Sequence, residues 1–397
     1  MANVCLYFEL HQPYRLADVS VFDIGLDKEY FTRQEELNRK IFQKVAHKSY
    51  IPMLTLLLKL VRENKDFYFS FSATGVFLDQ ASEYAPKVVT LLQKLVKTGQ
   101  VEVLSETYHH SLASLYSAKE FEYQVKEHQK LVKQLFDIKP TIFRNTELIY
   151  SNEIGQLVED LGFQACLTEA VDRYLGGRKR TQVFVGKTKN KLPLLLKHAQ
   201  LSDDIAFRFS EKAWASYPLT ADTYMNWLGS YQNSEVINLF MDFETFGEHQ
   251  WEDTGIFKFF EVFIKQSIKQ KRNKFLTPFM VIQEQKTFKD SPEYDIPEPI
   301  SWADVDRDLT AWVDNSLQRD SLDKMYQLEQ KVLSQKNKDL ILDWRKLQTS
   351  DHFYYMCTKW AADGDVHAYF SPYESPYEAY RRFSIVLADL KERMIET

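Results

Sequence analysis

The 397-residue sequence predicts an α/β fold: a parallel sheet, open or closed into a barrel, with a smaller helical part behind it. Three observations predict it. Short apolar segments alternate with amphipathic helical ones through the first two-thirds of the chain. The helical segments carry their own start and stop signals. Finally, Pro292, Pro297 and Pro299 cluster where the strand pattern ends, which marks a domain edge or linker.

Residues 4–10 make an apolar strand that ends at His11-Gln12-Pro13-Tyr14. Residues 67–72 make a second, closed by Ala73-Thr74-Gly75. Pro86 suits the first turn of the next helix and Gly99 the position past its end, with Val88, Leu91, Leu92, Leu95 and Val96 as its apolar stripe. A third strand, 101–105, follows directly. Ser117 with Glu120 predicts a capping box for a helix that carries Phe121, Val125, Val132 and Leu135 on one side. A strand at 141–145 leads to Glu147, a short helix occupies 151–161, and apolar segments return at 163–167 and 236–241, the last ending at Asp242. Beyond the proline cluster the chain is helical, and Ser375, Pro376 and Glu378 open its last helix. No internal repeat is present.

Composition narrows the function. Hydrophobic residues at 44% and charged residues at 27% are the balance of a folded globular protein. A formal net charge of -6 gives no general attraction to nucleic acid or anionic lipid, and the short basic runs 187–191 and 269–272 read as solvated loops. No segment approaches the roughly 20 apolar residues of a membrane span, and the first residues lack the basic and apolar regions of a signal peptide. Cys5, Cys166 and Cys357 lie far apart in apolar surroundings, so buried thiols in a reducing, cytoplasmic setting are expected. With 12 glycines and no Gly-rich loop after a strand, nucleotide binding is not expected. Aromatic residues, 14% of the chain, must serve mostly as core, and composition alone does not separate core rings from platforms for sugar rings.

Polar residues gather at strand ends, where β/α proteins place their active sites. His11 ends the first strand, Glu102 and Glu106 lie in and after the third, Glu147 ends the fourth, and Asp242 with Glu244 ends the late one. Asp242 and Glu244, two apart, share a face if the strand continues. Spacing alone leaves a catalytic pair and an N-cap with a salt-bridged surface acid equally open. His11 reads as a core histidine on its own, His109-His110 as either a substrate contact or the start of a loop. His249 and Trp251 are cleft or lid residues, and Trp302 and Trp312 read as domain-interface core ahead of sugar platforms.

Four ordered segments resemble the signature regions of glycoside hydrolase family 57: His11-Gln12-Pro13, Gly99-Gln100-Val101-Glu102, Phe143-Arg144-Asn145-Thr146-Glu147-Leu148 and Asp242-Phe243-Glu244-Thr245-Phe246-Gly247. Thr349-Ser350-Asp351-His352 resembles a fifth, more loosely. The resemblance implies a seven-stranded parallel β/α barrel of distorted TIM-like form, here 1–290 with helical insertions, and a C-terminal helical domain, 291–397, that closes the cleft. It implies a retaining hydrolase of α-glucans, α-amylase-like and cutting α-1,4 bonds, with Glu147 as nucleophile and Asp242 as general acid/base. His11, Glu102, Glu244 and Asp351 match positions that line the cleaved bond, and His110 and Trp302 join them as candidate substrate contacts. An α-glucan or maltooligosaccharide is the expected partner; no cofactor and no metal are expected. The same chemistry would serve a 4-α-glucanotransferase or branching-type enzyme. Rival readings are a metal-dependent polysaccharide deacetylase, with His11, His109, His110 and Asp242 as ligands, and a non-catalytic glycan-binding protein.

Overall fold

β1 (Ala2–Leu10) is the hub of the sheet, a buried strand with partners on both edges. The computed structural model describes residues 1–26, 30–31, 35–231, 234–359 and 371–394. On one edge β1 pairs in parallel with β8 (Ile237–Asp242). On the other, its upper half pairs with β2 (Phe69–Ala73) and its lower half with β9 (Asn273–Leu276). From β2 the ladder runs to β3 (Val101–Val103), and a parallel bridge between Ser105 and Phe143 carries it to β4 (Ile142–Arg144). It continues through β5 (Ala165–Glu169) and β7 (Pro193–Lys197) back to β8. Seven parallel strands thus close a barrel, as expected. β6 (Val183–Gly186) lies antiparallel on β7 and carries β10 (Glu293–Tyr294) outside the ring.

Strand alternation sorts the side chains. Val4, Leu6, Phe8 and Leu10 of β1 pack outward against helices, whereas Cys5 and Tyr7 point inward beside Leu104, Ile142, Leu167, Leu195 and Phe240. The apolar inward residues end one step below the rim. At that rim the last inward residue of β1, β4, β5, β7 and β8 is charged: Glu9, Arg144, Glu169, Lys197 and Asp242. Five strands of one parity therefore build one polar floor.

The helices start and stop where their caps predict. Pro86–Val96 precedes Gly99, whose φ of 75° needs a glycine. Ser117 Oγ accepts from the Glu120 N–H at 3.1 Å at the head of the Ala118–Phe136 helix. The capping box closes only on that side, because the Glu120 carboxylate turns to Arg345 Nε at 2.9 Å and Gln124 at 3.1 Å. Ser375 caps Pro376–Arg393 as expected.

The proline-rich stretch is strapped to the barrel. Tyr150 and Ile300 exchange backbone hydrogen bonds of 3.1 and 2.9 Å, and the Trp302 N–H reaches the Glu147 carbonyl at 3.1 Å. Behind it, Trp312, Leu322, Trp344, Phe353 and Phe383 share one core with Phe121, Phe143 and Leu194 of the barrel side. Trp312 is interface core. The cysteines are buried and free, and no described helix is long and apolar enough to cross a membrane.

Candidate active site

A cleft of about 680 Å³ opens over the rim, lined by Glu147 and Asp242 with His11, His110, Glu244, Trp302 and Asp351 among others. Seven of the eight site residues expected from sequence meet there. Glu147 leaves the ring just past β4, in a turn where it holds φ at 57°. A left-handed backbone on a non-glycine residue is sparsely populated and persists where the surroundings over-determine it. Here they do. His110 Nε2 lies 3.2 Å from Glu147 Oε1, and the Trp302 indole N–H donates to Oε2 at 2.6 Å.

His110 is the electrostatic centre of the floor. Burial opposes its charge, but Glu9, Glu106 and Glu147 outweigh that and hold it well above the usual histidine range. Its Nδ1 faces Glu9 at 3.3 Å and Glu106 at 3.7 Å. Arg144, fully buried, grips Glu9 with both guanidinium arms and passes beneath the Trp302 ring at 5.0 Å, where Lys197 also stands at 5.0 Å.

Two carboxyls in this cleft are driven apart. Burial works against ionising Glu147, yet the hydrogen bond and charge of His110, with Arg144 and Trp302, hold it below the usual range. Asp242 is pushed up to about 6, by burial first and the Glu147 charge second, despite Arg144, Lys197 and His110. Glu244 rises to about 8, chiefly through burial, while Tyr50 donates its hydroxyl to it.

His11 closes the side wall. Its ring stacks on His110 with centroids 4.0 Å apart, and its Nε2 meets Asp351 at 3.0 Å. Burial and the neighbouring His110 charge keep His11 neutral, so Nε2–H donates to Asp351 and Nδ1 accepts from the Thr74 hydroxyl at 2.9 Å. Asp351 lies well below the usual carboxylate range: burial opposes this, and the His11 contact and His110 overcome it.

One sequence expectation needs correction. Glu102 does not reach the cleft. It has the inward parity but sits low in β3, opposite Ser70, and its carboxylate accepts the Phe279 N–H at 2.9 Å, at the head of the Pro278–Gln285 helix. Burial takes it up to about 7. The residue of that parity at the rim is Glu106, four positions on. Of the pair His109-His110, left open between a substrate contact and a loop, only His110 lines the cleft. His249 lines the cleft, whereas Trp251 is 54% exposed beneath Lys48.

Sequence reasoning missed Glu9, Arg144 and Lys197. The signal that finds them is a charged residue as the last inward member of an apolar strand. For a metal, donor atoms of His11, His110 and Asp351 lie within 4.8 Å of one another, as do those of Glu9, Glu106 and His110. Both sets contain His110, so a metal in either would have to displace the proton that Glu9, Glu106 and Glu147 favour on that ring. The deacetylase ligand set also loses His109, which does not line the cleft.

Residues 5–297 match the family model Glycosyl hydrolase family 57. A protein of Methanocaldococcus jannaschii named "Putative alpha-amylase" is 39% identical over 394 residues, 97% of this chain and 83% of that one. The GH57-type branching enzyme of Pyrococcus horikoshii superposes with a TM-score of 0.68 at 16% identity, over 97% of this chain and 95% of that chain. The 4-alpha-glucanotransferase of Thermococcus litoralis gives 0.65 at 13%, over 89% of this chain and 56% of that chain. The two structures speak for the fold; the family match and the relative speak for kinship. The chain belongs to glycosyl hydrolase family 57 and is a glycoside hydrolase.

Proposed function

We propose that this enzyme cleaves α-1,4 bonds of α-glucans with retention of configuration, Glu147 serving as nucleophile and Asp242 as general acid/base. One observation carries the assignment: two carboxyls of one cleft whose surroundings separate their protonation, Glu147 held ionised and Asp242 pushed up to about 6. Asp242 protonates the leaving glycosidic oxygen as Glu147 attacks the anomeric carbon. The ester that forms removes the Glu147 charge, so the Asp242 pKa falls and the same residue takes a proton from the incoming water or sugar hydroxyl.

The remaining wall suits a sugar. Glu244, raised to about 8, is a donor near neutral pH, and ionised Asp351 is an acceptor. His110 and Trp302 hold the nucleophile, so Trp302 acts through its N–H as well as its face. Asp351, Tyr354 and Tyr355 bring the 291–397 part over the cleft, which supports its role in closing it. The glucan assignment draws support from the M. jannaschii relative's name. A cytoplasmic location fits the free, buried thiols.

Incubation with maltooligosaccharides and analysis of product lengths tests the reading. Shorter products alone mean hydrolysis; products both longer and shorter than the substrate mean 4-α-glucanotransfer or branching by the same chemistry. Unchanged maltooligosaccharides sink the α-glucan assignment.

A further inference from the structure

A second cavity, of about 480 Å³, lies between the Ala118–Phe136 and Lys338–Lys346 helices and shares none of its lining with the cleft. Its floor is His109, which is 4% exposed and whose Nδ1 has no hydrogen-bond partner among the described residues. Burial, with Arg345 and Lys346 nearby, takes His109 down to about 3, so the ring is neutral and offers one donor and one acceptor.

The walls are aromatic and fixed. Tyr108 packs over Gly75, where an added Cβ would fall 2.4 Å from its ring, and its hydroxyl is tied to Asp79 at 3.0 Å. Tyr123, 39% exposed, lies opposite under the Arg345 guanidinium, 3.5 Å from the ring centroid. Leu342, 42% exposed, adds apolar surface. Two of the rim charges are engaged elsewhere, Arg345 by Glu120 at 2.9 Å and Glu127 by Lys130. Preset aromatic faces and a neutral imidazole suit an uncharged, polyhydroxylated chain.

We propose that this cavity is a second α-glucan-binding site that holds a long substrate beside the cleft; the ligand rests on the α-glucan reading above. Two sites on one chain of substrate raise the effective concentration of that substrate at the cleft. A short substrate cannot engage both.

The test compares Tyr123→Ala and Leu342→Asp with wild type on amylose and on a chromogenic maltotrioside, after thermal melts verify that all three proteins are folded. For amylose, KM should rise about fivefold in both variants, while kcat/KM on the maltotrioside stays at the wild-type value. Wild-type KM on amylose in both folded variants overturns the second site and leaves the catalytic reading standing. A wild type that cleaves neither substrate overturns the α-glucan reading, and with it the ligand assigned here.

Discussion

His110 and Glu147 face each other across 3.2 Å, and both hold left-handed backbone, with φ of 51° and 57°. Neither is a glycine. Each such residue stores conformational energy that the barrel rim must offset, which is the pattern of a site built for geometry. The contact sets a charge as well as a position, because His110 is the imidazolium that keeps Glu147 ionised.

His110→Gln keeps a donor but removes the charge. Glu147 must be ionised to attack, so kcat/KM falls as pH drops through its pKa. Without the cation that pKa rises, and the acid limb of the profile should move up by about one unit, with kcat at the optimum down about tenfold or more. A pH–rate profile of kcat/KM checks this. An unmoved acid limb would show that His110 only fills space.

In the proposed mechanism the alkaline limb belongs to Asp242. It must be protonated to assist departure, so kcat/KM of the free enzyme should fall as pH rises through about 6. In Asp242→Asn the step that needs no acid, glycosylation by a substrate with a good phenolic leaving group, should lose that limb while keeping the acid one. Burst kinetics of phenol release against pH decide it. An alkaline limb that survives the substitution assigns the proton to another group.

Much of this was legible in the residues, and the gaps have physical causes. Six of the seven barrel strands show as apolar runs because the interior and the helix layer bury both faces. The seventh, Pro193–Lys197, is an apolar run of three leucines that begins at a proline and follows a basic loop, and the proline hid it, because proline is rare inside a central strand. Glu147, Asp242, Glu244 and His11 were within reach because they stand at strand ends. Glu9 and Arg144 pair across 135 positions of sequence, and only closure of the barrel brings them together. Glu102 misled for a related reason: alternation gives a side chain its face but not its height along the barrel axis, and the height places Glu106, not Glu102, at the rim.

In the proposed mechanism protonation and covalent attack both come from carboxylic groups, so no transition metal should be required. Protein dialysed against a strong chelator, with residual metal measured, should retain its glucan-cleaving rate. Activity that disappears and returns with zinc would favour a metal-dependent reaction at His11, His110 and Asp351 instead.

The division of labour between the two acids has a stereochemical signature. Glu147→Ala removes the covalent step and leaves space on the face opposite the leaving group. Azide can enter that space and attack the anomeric carbon in one displacement, while Asp242 still protonates the departing oxygen. The product should be a glycosyl azide of inverted, β configuration. Asp242→Ala leaves the nucleophile intact. Glucan cleavage should collapse for want of a proton donor, but an activated phenolic substrate should still glycosylate Glu147. The intermediate then lacks a base to activate water and accumulates. Azide needs no base, so it should release the enzyme by a second displacement and give the α anomer. The same anion thus yields opposite anomers from the two variants, and proton NMR of the azide products tells them apart by the anomeric coupling. Identical anomers, or near-normal hydrolysis by Glu147→Ala, would overturn the assignment of both roles.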